Sequence, residues 1–82
     1  MPYVDQDTRR RLDQGRCPNT PGELTYAITR LVNEWLNLRK PEPDFERYSS
    51  AVGALECAKL ELYRRRVVPY ENEKAKLNGD VY

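Results

Sequence analysis

The C-terminal third of the sequence concentrates residue types that bind anions and planar ligands. Three consecutive arginines, Arg64 to Arg66, lie between Tyr63 and Tyr70. Guanidinium groups donate paired hydrogen bonds to phosphate or carboxylate, and they also stack on aromatic rings. Successive residues of a helix diverge by about 100°, so the three arginines cannot all reach one ligand. The segment therefore predicts a local anion site to which only some of these side chains contribute.

Two cations fall on the apolar side of the helix predicted around this segment. The apolar arc comprises Phe45, Tyr48, Ala51, Val52, Leu55, Ala58 and Leu62. Lys59 and Arg66 lie near the centre of the same arc by helical spacing. An unpaired buried charge is costly, so each cation must reach solvent, pair with a carboxylate or contact an anionic ligand.

These positions predict a ligand site at a subunit interface. The predicted ligand-binding residues are Lys59, Tyr63, Arg65, Arg66 and Tyr82. We expect the cations to neutralise phosphate and a tyrosine to stack on a base, with Tyr82 docked although it ends the chain. A structural alternative stays open, in which Lys59 pairs with Glu56 or a second subunit and the arginines form a solvated helix end paired with Glu61.

Composition predicts one domain, residues 1–82, with a thin core. Apolar residues make up 39% of the chain and charged residues 33%, against usual shares of about 45–50% and a quarter. A chain this short buries only about 60–65% of its unfolded surface, which favours a homodimer or higher oligomer. The net charge of +1 gives no global attraction to nucleic acid or to an anionic membrane.

The sequence lacks the residues that most metal and nucleophilic sites need. It has no histidine, and its two cysteines, Cys17 and Cys57, have no CxxC spacing. No apolar run approaches the roughly 20 residues that span a bilayer, and the N-terminus has no signal-like apolar region. We expect a cytoplasmic protein with reduced thiols and with no catalytic residue, metal or cofactor.

Turn and cap residues divide the chain into helices. Asp5 predicts the start of a short helix over residues 6–12. Thr20, Pro21 and Glu23 form a capping box with proline at the first helical position, so a helix is expected over residues 21–39. Its predicted apolar face comprises Leu24, Ala27, Ile28, Leu31, Val32, Trp35 and Leu38. The segment Lys40-Pro41-Glu42-Pro43 is expected to break this helix.

Asp44 is expected to cap a second long helix over residues 45–68, which Pro69 should end or kink. A third piece over residues 69–77 should stop at Asn78-Gly79. The predicted fold is all-α, with two long antiparallel amphipathic helices and short N- and C-terminal helical segments. Pairing with a second chain into a four-helix bundle would complete the core.

Two other functions have partial support in the sequence. The segments GELTYAITRL and GALECAKLEL resemble the helix pairs of all-α nucleotide pyrophosphohydrolases, which bind magnesium through acidic pairs. Glu56 and Glu61, however, diverge by about 140° on a helix, so one magnesium cannot readily engage both. A DNA-binding regulator would use the basic triplets, but the near-neutral charge and the KPEPD separation disfavour a helix-turn-helix.

The segments GALECAKLELYRRRVVPYENEKAKLNGDVY and TPGELTYAIT resemble a family of short uncharacterised proteins of phage and bacterial genomes. The resemblance implies an accessory or counter-defence factor and carries no residue roles. From the residues themselves we expect a non-enzymatic, homo-oligomeric protein that sequesters a small anionic, nucleotide-like ligand. The alternative is an adaptor or inhibitor of a host protein, because tyrosine and arginine are enriched at protein interfaces.

Overall fold

The computed structural model describes residues 1–38 and 42–82. Its elements in chain order are α1 (Gln6–Asp13), α2 (Pro21–Leu36), α3 (Phe45–Leu62), a π-helical segment (Tyr63–Val67) and α4 (Val68–Asn78). No strand occurs in these two ranges, and the predicted all-α class is confirmed. The antiparallel pairing and the oligomeric bundle stay predictions. None of the described helices combines the length and apolarity of a membrane span.

Side-chain caps start the first three helices where the sequence predicts them. Asp5, Thr20 and Asp44 each accept a hydrogen bond from the backbone N–H three residues later, at 2.8, 3.1 and 2.9 Å. Each bond satisfies one of the donors that a helix start leaves unpaired. Glu23 differs slightly from the expected capping box, because its carboxylate accepts from the Asn19 N–H, at 3.1 Å, and not from that of Thr20.

The ends of the predicted helices are less accurate. Helix α2 ends at Leu36, before the predicted residue 39, because Asn37 leaves helical geometry with φ −96° and ψ 8°. Residues 39–41, which include the predicted end and part of the predicted break, lie outside the described residues. At the other terminus the stop is confirmed, since Gly79 adopts a φ of 95° directly after α4.

The prediction that Pro69 ends the long helix is wrong. Helical backbone continues from α3 through the π-helical segment into α4, and Val68 keeps helical angles of φ −59° and ψ −49°. The Val68 N–H bonds to the Tyr63 carbonyl, five residues back. Proline clashes with the carbonyl four residues before it, and the wider π turn relieves that crowding. The sequence therefore encodes one helical run over residues 45–78 where separate pieces were expected.

The chain divides into two compact units, Met1–Arg47 and Tyr48–Tyr82. In unit 1, helices α1 and α2 pack together, and Tyr26 is the large side chain that they bury, at 8% exposed. Tyr26 lies outside the predicted apolar face of α2. That face is largely open, with Leu24, Leu31 and Leu38 more than half exposed. Helix α2 therefore packs on α1 through the side opposite its predicted apolar face.

Unit 2 contains the rest of the long helical run and the C-terminal tail. Ala51 is buried, at 7% exposed, and Val67 is half-buried. The other residues of this unit are exposed, including large apolar side chains along the helix. The predicted single domain over residues 1–82 stays a prediction.

Candidate functional site

The three arginines occupy the π-helical segment between α3 and α4. A π turn is a single widened turn within an α-helix and is frequent at functional sites. Here it is closed by the bond from the Val68 N–H to the Tyr63 carbonyl. The arginines therefore project from consecutive positions around one turn, in different directions, as the sequence predicts.

Arg64 is held by a carboxylate of its own helix. Its Nε and Nη2 donate to the two carboxylate oxygens of Glu61 at 3.0 and 3.1 Å. This two-bond arrangement is the favourable geometry for a guanidinium and a carboxylate. The pairing with Glu61 in the structural alternative is confirmed for Arg64, whose side chain is 66% exposed, but this turn lies inside the helical run and not at a helix end.

Lys59 also has a carboxylate neighbour. Its Nζ lies 3.0 Å from Glu56 Oε1, and the two side chains are 66% and 54% exposed. The predicted pairing with Glu56 is confirmed. Exposed ion pairs of this kind contribute roughly 0–1 kcal/mol, so an anionic ligand can displace the glutamate at little cost. The pair does not bury Lys59, whose ammonium faces solvent.

Arg65 and Arg66 lack such partners among the described residues, where every ion pair found involves other cations. Both side chains are exposed. Tyr63 is 55% exposed and so presents an open ring beside them. Arg66 is therefore a charge available to a ligand, and it faces solvent where the sequence predicted a position inside the core.

The helix brings only part of the predicted site together. Lys59 and Tyr63 lie at the i and i+4 positions of a helix and so share one face. Arg65 and Arg66 follow within the π-helical segment, whose wider turn departs from α-helical spacing, and they project in different directions. Tyr82 follows the end of α4 and is fully exposed, so the expected docking of this side chain is not observed. One copy of the chain thus groups Lys59 with Tyr63, and the common face with Arg66 stays a prediction.

Unit 1 contains a polar cluster that the sequence did not predict. The Tyr26 hydroxyl donates to Asp13 Oδ1 at 2.9 Å, and Arg30 Nε lies 3.4 Å from the same oxygen. The guanidinium of Arg9 stands over the Tyr26 ring, 5.7 Å from its centroid. Burial, followed by the hydrogen bond to Asp13, raises the pKa of Tyr26 above its ordinary value of 10.0. The i, i+4 spacing of Tyr26 and Arg30 was the available sequence signal.

This cluster joins two helices and does not form a ligand pocket. The depression beside it, lined by residues of α1 and α2, has a volume of about 170 Å³. Pockets for small molecules are usually about 300–1,000 Å³. The Tyr26 cluster therefore has a structural role in unit 1. The candidate site is then the exposed surface of unit 2 around Lys59, Tyr63, Arg65 and Arg66, here called the basic face.

The carboxylates near that face are engaged by cations. Glu56 pairs with Lys59, and Glu61 pairs with Arg64. Within residues 1–38 and 42–82, no group of three or more metal-ligating side chains is placed to hold an ion. The chemistry presented by the face is thus that of cations and an aromatic ring.

Comparison with known proteins gives one match. The model of a family described as a domain of unknown function (DUF6899) matches residues 1–81. Neither the curated proteins nor the solved structures include a match to the sequence. The match supports the predicted resemblance to a family of short proteins without assigned activity, and it assigns no role to any residue.

Proposed function

The chain belongs to the DUF6899 family, and we propose that it is a non-enzymatic, homo-oligomeric binding protein that captures a small anionic, nucleotide-like ligand. The observation that carries the proposal is the exposed Arg66, which has no carboxylate partner among the described residues and lies close along the helix to Lys59 and the exposed Tyr63. Two cations and an aromatic ring close together on one helix match the phosphate and the base of a nucleotide.

Each side chain has a separate part in this proposal. Arg66 donates paired hydrogen bonds to phosphate oxygens, as planar guanidinium groups do. Lys59 adds a second positive charge after exchanging Glu56 for the ligand. Tyr63 supplies an exposed ring for stacking. Arg65 and Tyr82, which the sequence also selects, would contribute from another face or from a second copy of the chain.

A biological context follows from the resemblance to phage and bacterial proteins. A small protein that binds a nucleotide without converting it lowers the free concentration of that nucleotide. Such sequestration would suit an accessory or counter-defence factor acting on a nucleotide signal. This role is part of the proposal and depends on the binding step being demonstrated.

Calorimetric titration of a panel of mono-, di- and cyclic nucleotides into the protein tests the binding step. We expect the wild type to bind at least one of them and Arg66→Ala to weaken that binding by about tenfold or more, since a hydrogen bond to a charged group is worth roughly 1.5–3 kcal/mol. Arg64→Ala is the matched control, because it removes the same charge from the same turn but from an arginine already paired with Glu61.

Two results would refute the proposal. One is the absence of binding to every nucleotide in the panel by a folded, helical wild type. The other is equal affinity in the wild type and Arg66→Ala. Equal losses in Arg66→Ala and Arg64→Ala would point to general charge attraction, and would also count against a specific site.

An adaptor or inhibitor of a host protein is the second candidate function. Exposed Tyr63 and Tyr70, at 55% and 60%, lie close to unpaired arginines, and this combination is typical of protein interfaces. A pull-down from host lysate with the wild type and Tyr70→Ala distinguishes this candidate. A protein retained only by the wild type supports it, and identical retention by both chains counts against it.

The enzyme and DNA alternatives make different predictions for the same purified protein. A magnesium-dependent nucleotide pyrophosphohydrolase would turn over nucleoside triphosphates and lose activity in Glu56→Gln. A DNA-binding regulator would bind duplex with a steep salt dependence. We expect neither turnover nor duplex binding at physiological ionic strength.

A further inference from the structure

Five large side chains recur along the helix that runs from α3 through the π-helical segment into α4. They are Tyr48, Leu55, Leu62, Tyr70 and Leu77, here called the stripe. They are spaced seven, seven, eight and seven residues apart. A seven-residue spacing of large apolar residues is typical of the contact line of a coiled coil. The single interval of eight inserts one additional residue between Leu62 and Tyr70.

The π-helical segment lies within that interval. In a continuous α-helix, one additional residue would turn the second half of the stripe by about 100° away from the first. The bond from the Val68 N–H to the Tyr63 carbonyl closes a turn with one residue more than an α turn. The π turn therefore takes up the additional residue, and the stripe stays on one face from Tyr48 to Leu77.

The stripe is exposed and large enough to form a stable interface. Its members are between 42% and 70% exposed. With the neighbouring Phe45 and Val52, they present on the order of 800 Å² of surface, which is about what one partner contributes to a standard interface. A helix in water derives most of its stability from packing of its apolar face. The folded helix therefore needs a partner that is present at all times. A second copy of the chain meets that condition.

Cations beside the stripe distinguish the two ways in which copies could pair. Lys59, Arg66 and Lys74 each lie three or four residues from stripe members, at the second contact position of the seven-residue repeat. Parallel, in-register pairing would set each of them against the same cation of the partner, and like charges at such positions are unfavourable. Parallel pairing is therefore disfavoured.

Antiparallel pairing removes this repulsion. A register that sets Arg66 of one copy opposite Leu55 of the other also sets Lys59 opposite Leu62 and, because the π turn takes up one residue, Lys74 opposite Tyr48. In the same register Arg66 lies next to Glu56 of the second copy, which gives it a carboxylate across the interface. Every cation thus meets an apolar stem, an aromatic ring or an opposite charge.

From this pattern we infer that the stripe binds the stripe of a second copy in antiparallel orientation, and that the two copies together form the anion site. In such a pair Tyr63 of both copies lies along one edge, and Lys59 and Arg66 at the contact positions extend their charged ends past the apolar contacts. Four cations and two tyrosines then face one ligand, whereas Arg65 lies along the other edge. The composite site rests on the proposed function, but the pairing of the helices does not.

Sedimentation equilibrium of the full chain tests the interface. We expect a dimer for the wild type and a monomer for Leu62→Glu, which places a charge within the stripe. Leu60→Glu is the matched control, because Leu60 is 56% exposed and Leu62 58%, on the same helix, but Leu60 lies off the stripe. It should remain dimeric. A monomeric wild type, in which another part of the chain covers the stripe, or the same mass for both variants, overturns the inference.

Orientation is tested by the distance between spin labels attached at Asn78→Cys in a chain that also carries Cys17→Ser and Cys57→Ser. Antiparallel pairing places the two labels at opposite ends of the dimer, about 50 Å apart at 1.5 Å per residue. Parallel pairing brings them within about 20 Å. The short distance would overturn the antiparallel arrangement even in a dimer.

Nucleotide titration of the same dimer distinguishes the composite site from the proposed nucleotide-binding function. One nucleotide bound per two chains, with binding lost in the monomeric Leu62→Glu and kept in Arg64→Ala, whose arginine is already paired with Glu61, supports the composite site. An antiparallel dimer that binds no nucleotide leaves the interface intact and overturns the proposed function. Binding by monomeric Leu62→Glu with wild-type affinity keeps the function and overturns the composite site.

Discussion

The two units of this chain are stabilised in different ways. In unit 1, α1 and α2 bury Tyr26 between them, and Asp13 and Arg30 complete a polar cluster around its hydroxyl. Arg47 also stacks on the Trp35 ring, 3.8 Å from its centroid, and donates to the Trp35 carbonyl. In unit 2, by contrast, the ion pairs found among the described residues join neighbours on the same helix.

The two units therefore differ in how far their stability depends on a partner. Unit 1 has contacts between elements that can order it from within. Unit 2 has a long helix whose apolar stripe and basic face both point outward. Because packing supplies most of the stability of a helix, the stability of unit 2 must come from outside the unit. The surface that needs a partner is also the surface that carries the candidate site.

The largest effect is expected from Tyr26→Ala. Removing this buried ring leaves a cavity and removes the hydrogen bond to Asp13, so the melting temperature of unit 1 should fall by more than about 10 °C. Fluorescence of Trp35, the single tryptophan of the chain, reports this transition. Tyr3→Ala is the control, because Tyr3 is 77% exposed, and its melting temperature should stay within about 2 °C of the wild type. Similar losses in both variants would contradict the role assigned to the Tyr26 cluster.

A smaller effect is expected from alanine substitution of two glycines, which have similar backbone angles but should differ in how much the substitution destabilises the protein. Gly15 and Gly79 have φ values of 100° and 95°, and an added Cβ would meet no atom within 4 Å at either position. Gly15 connects α1 to α2, so Gly15→Ala should destabilise unit 1 by about 1 kcal/mol through backbone strain. Gly79 follows α4 and joins it to the non-helical residues 80–82, which can rearrange, so Gly79→Ala should cost at most a few tenths of a kcal/mol. Urea unfolding followed by fluorescence and circular dichroism measures both.

Alkaline pH should weaken unit 1 through Tyr26. The pKa of Tyr26 is raised by burial and by its hydrogen bond to Asp13, so the folded state favours the neutral phenol. Its contribution to stability is complete below the unfolded pKa of about 10 and is lost as the pH rises through the higher folded pKa. Melting temperatures measured between pH 9 and 11 should therefore fall in the wild type and fall less in Tyr26→Phe. Parallel curves would contradict this assignment.

Acid should have a still smaller effect through Asp5. Hydrogen bonds from Thr8 hold the pKa of Asp5 below its ordinary value of 3.8. A depressed pKa contributes stability above the unfolded value, and this is lost as the pH falls through the folded pKa. The helicity of α1 should therefore decrease slightly between about pH 4 and pH 2 in the wild type, and Asp5→Asn should reduce that dependence. Far-ultraviolet circular dichroism of the two chains measures the difference.

Local rules predicted the helix starts well and the tertiary features poorly. Asp5, Thr20 and Asp44 cap their helices as expected, because each cap depends on residues within three positions. Pro69 was expected to end or kink the long helix, and it does not end it, because a π turn accommodates proline by a change in hydrogen bonding that periodicity does not reveal. The eight-residue interval in the stripe was the available signal for that turn.

The candidate site was predictable only in part for a similar reason. Helical spacing groups Lys59 with Tyr63, since that is a property of a single helix, but the grouping with Arg66 stays a prediction because the π turn changes the spacing. The expected docking of Tyr82 and the inward position of Arg66 depend on contacts between separate elements. The spacing of residues within one helix does not reveal such contacts. Tyr26 was missed because the apolar arc of α2 outweighed a single tyrosine on its other side.

Amide hydrogen exchange at several protein concentrations tests the central claim most directly, namely that unit 2 depends on a second copy of the chain. Protection of the amides between Leu55 and Leu77 should fall as the protein is diluted and should be lowered further in Leu62→Glu. Protection of α1 and α2 should be the same at every concentration. Protection of the long helix that does not change with dilution would contradict the account, because it would show that the stripe is covered within one chain.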